Sequence, residues 1–498
     1  MFARVNTVAF QGVEAIPVEV QIHVTSGLPA FVLVGLPDKA VSESKERVKS
    51  ALHSVGLSLP SKRITVNLAP ADILKEGSHY DLAIALGLLT VMGAIDVQDI
   101  ANFLVLGELA LDGTLLAVAG VLPAATYAND RGMGLICPLD NGPEALLAGD
   151  LLVLAAYGAL HLMNHFSGRQ AIARCSRKAI PACNRNQEIS EIKGQEIAKR
   201  ALEIVAAGGH NILLSGPPGC GKSMLASKLP SLLPDLTTEE LLEVNVISSI
   251  ASKGAGSKEM VNARPFRDPH NSCSAAAMIG GGRVVKPGEV TLAHNGVLFL
   301  DEFPEFSSNV LESLRQPLEN HKVSIARADH HVVYPAKFQL VAAMNPCRCG
   351  HLGNADLQCN RAPLCATNYR NKLSGPLLDR IDLFVEMQPV DFSEMFVQQP
   401  SASTQEIAIR VQEAREIQQR RYINAGIAVN SDASGQVLRD ACDLDKDCIA
   451  LLERAFKLKK FSMRAYSKIL RVARTIADLE KRDKVSRCHL AEALNYRI

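Results

Sequence analysis

The chain has 498 residues, and its 53 Lys and Arg against 52 Asp and Glu leave a net charge of +1, so the whole molecule offers no argument for a polyanion partner and any such argument must be local. That length is too great for one hydrophobic core, and two to four domains are expected in a composition of the soluble globular kind. Residues 1–10 carry one Arg and no long apolar core, and the longest apolar stretch, residues 82–95 between Asp81 and Asp96, is too short to span a bilayer, which predicts a cytoplasmic protein with no membrane partner. Twelve cysteines in such a chain are expected to be mostly reduced.

Short β-type runs at residues 18–24, 30–34, 64–68 and 103–106 alternate with helical patterns at 39–55 and 80–91, which predicts an α/β domain over residues 1–166. Within it, Lys75-Glu-Gly-Ser-His-Tyr-Asp81 before a helix, then Gly107-Glu-Leu, Asp112-Gly and Gly120-Val, resemble the Lon protease fold. In that family the nucleophilic Ser stands four residues after the Lys of the first string, and a Lys follows the later Gly-Val. Here those positions hold His79 and Leu122. Ser78 is one position out of register and has no lysine to lower its pKa, so a Lon-like domain without peptidase activity is expected, serving assembly or partner binding. Residues 167–185 then bring Arg169, Arg174, Arg177, Lys178 and Arg185 with Pro181 and no acid, marking a basic linker at 167–188.

From residue 189 a helix leads to the apolar run 211–214, which ends in Gly216-Pro217-Pro218-Gly219-Cys220-Gly221-Lys222-Ser223 and opens a helix. This is G-x-x-x-x-G-K-[ST] in the strand-to-helix context that makes the motif specific. Its glycines let backbone N–H groups close around phosphate, with Lys222 reaching the β- and γ-phosphates of ATP and the Ser223 hydroxyl placed for Mg²⁺. Residues 236–292 follow, carrying Arg264, Arg267 and Gly280-Gly-Gly282, and then the strand 297–300 ends in Asp301 and Glu302. The first acid there supports Mg²⁺ and the second polarises the attacking water.

Residues 322–327 and 332–337 flank a polar turn and predict a β-hairpin with Lys322, Arg327, His330 and His331 on or near it. Such cations neutralise nucleic-acid phosphates with little sequence preference, unless the hairpin is simply solvated. A third apolar strand, 338–343, ends near Asn345, whose amide can hold water or the γ-phosphate or serve as a turn residue before Pro346. Cys347, Cys349, Cys359 and Cys365 follow in a wide C-x-C-x9-C-x5-C pattern, either tetrahedral Zn²⁺ ligands or free thiols. The second α/β domain, with a parallel sheet, is placed at 189–392. Residues 393–498 read as helices only, a small lid whose stretch 453–498 holds thirteen Lys and Arg against five Asp and Glu.

These motifs in this order, with Leu378-Asp-Arg-Ile-Asp-Leu383 and Ser462-Met-Arg-Ala-Tyr466, resemble an AAA+ module. Through Lys193-Gly-Gln, Ala206-Ala-Gly-Gly-His-Asn211, Arg264-Pro-Phe-Arg267, Gly296-Val-Leu-Phe-Leu-Asp-Glu-Phe303, Asn345-Pro-Cys and Ser374-Gly-Pro-Leu-Leu-Asp-Arg380, the chain is identified as a member of the ComM/YifB family of magnesium-chelatase-like ATPases over essentially its whole length. The resemblance implies that Asn345 is sensor 1, Arg380 an arginine finger completing a neighbour's site and Arg464 the sensor 2 arginine. An inserted Arg stabilises charge on the γ-phosphate oxygens and can be worth about 10³–10⁵ in rate. For Arg380 the plain alternative is an ion pair with Asp379 or Asp382, and for Arg464 an ordinary surface charge. The resemblance further implies that the hairpin and the 236–292 insert line a central channel. The implied activity is that of a hexameric ATP-dependent DNA translocase or helicase driving branch migration in homologous recombination during natural transformation. A chelatase motor remodelling a protein partner, an ATP-dependent protease and a non-hydrolysing scaffold are the competing readings.

Overall fold

The computed structural model describes residues 1–176, 188–251, 260–282, 285–327, 330–350, 363–389, 402–459 and 461–497. The chain divides into two compact units, one of residues 1–181 with 238–262 and the other of residues 182–237 with 263–498.

The first unit is built on strands β1 (Phe2–Gln11), β2 (Glu14–Thr25), β3 (Ala30–Val34), β4 (Arg63–Ala69), β5 (Phe103–Val105), β6 (Gly134–Pro138) and β7 (Val153–Ala156), in the order β3-β4-β2-β1-β5-β6-β7. In β2, Val18, Val20, Ile22 and Val24 are buried at every second position, so one face of the strand meets the core. Helix α1 (Lys39–Ser54) and helix α2 (Asp81–Val91) supply much of that core. Every residue of α2 is buried, which explains residues 82–91 of the long apolar run as an interior helix. Asp81 at its start is paired with Arg47 of α1 at 2.6 and 3.0 Å; burial raises the carboxyl pKa and the guanidinium opposes that rise.

A further helix, Thr238–Ala251, belongs to this unit although in sequence it follows the P-loop and its helix, Lys222–Leu232. Its Ser249 Oγ accepts from the Gly120 N–H at 3.1 Å, satisfying a donor at the start of α3 (Val121–Asp130). Asn245 ties the helix to Val261, with side-chain bonds of 2.9 and 3.0 Å. The stretch 236–292, expected as one insert of the second domain, is therefore divided between the units.

In the second unit, α4 (Glu196–Gly208) leads to β8 (Ile212–Ser215) and α5 (Lys222–Leu232). Strands β9 (Phe266–Arg267), β10 (Gly296–Leu300), β11 (Lys322–Arg327), β12 (His330–Pro335), β13 (Phe338–Met344) and β14 (Leu383–Glu386) follow. Five of them form a wholly parallel sheet in the order β9-β10-β13-β8-β14, while β11 and β12 pair as an antiparallel hairpin. All residues of β10 and β13 are buried, as strands covered on both faces require. The helices α6 (Thr404–Tyr422), α7 (Gly435–Cys442), α8 (Lys446–Lys459), α9 (Met463–Leu479) and α10 (Arg487–Asn495) share one apolar core with this sheet, Leu214 being joined there by Val411 and Ile476. Arg474, wholly buried in α9, donates to Asp478 at 3.1 Å, and Asp478 also accepts from Arg421 at 2.9 Å and Asn430 at 2.8 Å. Among the described residues no helix is long and apolar enough to cross a membrane.

Candidate nucleotide site

Strands β8, β10 and β13 are neighbours, with Leu300 beside Ala342 and Ser215 beside Met344. The residues that follow each strand therefore emerge together at the carboxyl edge of the sheet, where open parallel sheets hold ligands. From β8 comes the turn 216–223. Gly219 and Gly221 have φ of +80° and +89°, and a Cβ on either would meet nothing within 4 Å, so the turn presents open backbone in a conformation that side chains would strain. It leads straight into the first N–H groups of α5, a cradle that fits a phosphate chain.

Lys222 Nζ, on a side chain only 7% exposed, donates to the carbonyls of Gly216 and Pro217 at 2.7 and 2.8 Å and to Asn345 Oδ1 at 3.2 Å. A phosphate oxygen would offer this ammonium a charged acceptor in place of neutral ones. Ser223 Oγ donates to Asp301 Oδ2 at 2.7 Å. Lys222 is thus joined to Asn345 and its neighbour Ser223 to Asp301, as three adjacent strand ends allow. Asp268 lies close enough that burial, and then the Asp301 charge, raise its carboxyl pKa. A hydroxyl and a carboxylate in contact beside a second acid form an all-oxygen donor set suited to Mg²⁺.

Glu302 sits at φ +49°, its N–H held by Asp301 Oδ1 at 2.8 Å, and its Oε2 accepts from Asn271 Nδ2 at 2.7 Å. Asn271 and Asp268 come from the loop after β9 and have no place in the motifs read above. The two-residue strand β9 gives no periodicity to signal that this loop reaches the same sheet edge.

Two of the expected site residues stand apart from this cluster. Arg380, 13% exposed at the side chain, donates to Glu319 at 2.8 Å and to the Pro376 carbonyl at 2.7 Å. Its acid is thus neither Asp379 nor Asp382. Asp382 is instead 3.2 Å from Lys468 and accepts from the Asn211 N–H at 3.0 Å. Burial opposes the charge of Asp382, but Lys468 and His210 hold its pKa well below the usual carboxylate range. Arg464, 64% exposed, lies 3.5 Å from Asp379.

Arg264 and Arg267, expected to face a threaded polymer, are engaged inside the chain. Arg264 donates to the carbonyls of Pro234 and Asn295 at 2.7 and 2.8 Å, and Arg267 forms a two-pronged pair with Glu289 at 2.6 and 2.9 Å. On the hairpin, Lys322 is exposed at the base. The backbone register sets Arg327 opposite His330 and Ala326 opposite His331, while the side chains of Arg327, His330 and His331 lie outside the described residues. Tyr334 anchors the hairpin by donating to the Val285 carbonyl at 3.0 Å.

After β13, Cys347, Cys349 and Cys365 converge, their sulfurs within 4.8 Å of one another; Cys359 lies outside the described residues. Tyr369, on the same short helix as Cys365 (Leu364–Arg370), has its phenol pushed up to about 12 by burial, with the Glu305, Glu302 and Asp301 charges adding to it.

In the first unit, Ser78 Oγ donates to the Glu108 carboxylate and the buried Lys75 Nζ to the Pro70 carbonyl. His79 Nε2 is 2.9 Å from the Val8 carbonyl, its pKa lowered to about 4 by burial, and Leu122 is part of the interior.

Comparison with known proteins identifies the family. The family described as magnesium chelatase, subunit ChlI, matches residues 188–395, that described as subunit ChlI of Mg-chelatase matches residues 20–141, and its C-terminal counterpart matches residues 401–497. The chain is 42% identical to the uncharacterized protein YifB of Escherichia coli K12 over 498 residues, covering 99% of this chain and 96% of that one. It is also 42% identical to the competence protein ComM of Haemophilus influenzae over 505 residues, covering 99% and 97%. An uncharacterized protein of Mycobacterium tuberculosis H37Rv is 40% identical over 496 residues, covering 99% and 98%. With matches that run from one end of the chain to the other, the protein belongs to the ComM/YifB family of magnesium-chelatase-like AAA+ proteins.

Proposed function

We propose that the chain is a cytoplasmic Mg²⁺-dependent ATP hydrolase that assembles into a ring, as a hexamer, and moves along DNA. Its task in this reading is ATP-driven branch migration during homologous recombination in natural transformation. The observation that carries the ATPase reading is the direct bonding of Lys222 to Asn345 and of Ser223 to Asp301 across three adjacent strand ends. The DNA assignment rests on the full-length likeness to a protein named for competence.

In this mechanism the backbone of residues 216–221 and the start of α5 bind the phosphates, and Lys222 leaves its carbonyl partners for the β- and γ-phosphate oxygens. Ser223 and Asp301 would hold Mg²⁺, which would supply neutralising charge at the phosphate oxygens. Glu302 accepts the proton of the attacking water and Asn345 orients that water or the γ-phosphate. Arg380 from a neighbouring protomer and Arg464 from the lid meet the charge that develops in the transition state. DNA contacts are assigned to Lys322, Arg327, His330 and His331 of the hairpin; Arg264 and Arg267 are left out, since both are committed to internal partners.

Turnover measured with single-stranded, duplex and branched DNA beside a blank tests both levels. ATP hydrolysis is expected to rise with DNA, to vanish in Lys222→Ala, and in Glu302→Gln to give way to retained nucleotide without hydrolysis. No response of turnover or assembly to any DNA form would remove the DNA assignment while leaving the ATPase intact. A protein-remodelling motor would then be the better reading, because the family matches carry chelatase-subunit names. The protease reading is disfavoured, since His79 and Leu122, both buried, stand where the Lon family has its Ser and Lys.

A further inference from the structure

Among the described residues, one cluster of metal-ligating side chains lies outside the proposed catalytic set: Cys347, Cys349 and Cys365. Two different segments bring it together. β13, buried along its whole length, fixes where the chain leaves the sheet, and Cys347 follows three residues after its end. The chain then turns back, the Gly350 N–H donating to the Cys347 carbonyl at 3.0 Å, which carries Cys349 to the same side. The helix Leu364–Arg370 delivers Cys365 near its start. Cys347 is fully buried, and its sulfur lies 3.1 Å from that of Cys349.

We infer that these three thiolates form a Zn²⁺ site whose loading braces the P-loop. Zinc takes sulfur at about 2.3 Å, so the sulfurs of a tetrahedral site stand about 3.8 Å apart. Three sulfurs within 4.8 Å of one another reach that spacing by movements of under about an ångström, within the freedom of cysteine side chains. A disulfide would consume two of the sulfurs and leave the third unexplained, whereas a metal uses all three and binds them as thiolates.

The brace follows from two contacts on either side of the cluster. Two residues before Cys347, Asn345 Oδ1 accepts from Lys222 Nζ at 3.2 Å. One residue after Cys349, Gly350 at φ +81° lies so close to the P-loop that a Cβ there would be 2.8 Å from Pro218 Cγ and Cδ. Fixing the sulfurs therefore fixes both the amide that meets Lys222 and the backbone on which Pro218 rests. This second half rests on the nucleotide-site reading; the metal site itself does not.

The test measures metal and nucleotide separately on the full-length protein. Purified under reducing conditions, the wild type is expected to carry about one zinc per chain. After chelation and addition of Co²⁺ it should give the visible absorption of tetrahedral thiolate-bound cobalt. Cys349→Ser and Cys365→Ser should each lose the metal, while Cys488→Ser, at an exposed cysteine of the lid, should keep it. Metal-stripped wild type should bind a fluorescent ADP analogue at least several-fold more weakly, with recovery on adding Zn²⁺. A wild type without zinc and without the cobalt spectrum overturns the site, and that result requires no variant to fold. Unchanged ADP affinity in stripped protein overturns the brace. Failure to bind nucleotide even when metal-loaded counts against the nucleotide site and leaves the zinc site standing.

Discussion

Asn271 Nδ2 donates to Glu302 Oε2 at 2.7 Å, so the carboxylate assigned as the base is held by a neutral amide from the neighbouring strand's loop. A carboxylate that accepts such a bond is a weaker base and is turned toward its partner. Asn271→Ala is expected to raise turnover in the absence of DNA by up to about tenfold, the worth of roughly 1.5 kcal/mol for one hydrogen bond to a charged group, with KM for ATP unchanged. Steady-state kinetics decide it. A fall in kcat would mean that Asn271 aims Glu302 at the water.

In the proposed function Arg380, which pairs with Glu319 in its own chain, completes a neighbour's site while Glu302 serves its own. Arg380→Ala should bind nucleotide normally and lose about 10³ in hydrolysis. Mixing it with Glu302→Gln should restore part of the rate, because some interfaces then combine an intact glutamate with an intact arginine. Two inactive proteins that stay inactive together at every mixing ratio would speak against a shared site.

The burial of His79 predicts an acid-side loss of stability in the first unit. Its pKa is about 4 when folded and close to 6.5 when exposed. Between these values the unfolded state binds more protons, so stability is complete above about pH 6.5 and falls as pH drops toward 4, by about 3 kcal/mol in all. His79→Gln keeps a donor for the Val8 carbonyl and should flatten that part of the profile. Hydrogen exchange of the α2 amides against pH is the measurement.

Asp478 is the common acceptor for Arg421, Arg474 and Asn430 within the helical lid. Asp478→Ala would leave the wholly buried Arg474 without its counter-ion, at a cost of about 3–5 kcal/mol. Thermal melting should register a transition displaced downward. A melting curve matching the wild type would show that the carbonyls of Asp483 and Ala441, which also accept from Arg474, suffice.

The parts of the site that lie on contiguous residues were legible beforehand. Residues 216–223, Asp301 with Glu302, and Asn345 each follow an apolar strand, and in a parallel sheet adjacent strand ends share an edge. Asn271 was hidden because β9 is two residues long and leaves no alternation to read. The partners of the arginines were hidden for another reason: charge is visible along a chain, but what neutralises it is not. Arg264 turned out to serve backbone carbonyls, Arg267 pairs with Glu289, and Arg380 pairs with an acid 61 positions upstream. The helical lid was readable as helices, whereas the membership of Thr238–Ala251 comes from long-range packing, marked by the hydrogen bond from Gly120 to Ser249, 129 positions away.

That helix changes how the protein can be dissected. The chain passes between the two units three times, near residues 181, 237 and 262, so no single cut separates them into intact pieces. A fragment ending in the basic linker would lack the hydroxyl that satisfies the Gly120 amide and would bare the flank of α3, inviting aggregation that has nothing to do with function. Only residues 233–237 lie between the end of α5 and this helix, so the chain that leaves the helix after the glycine-rich turn enters the first unit within five residues, and a cut there severs both units at once.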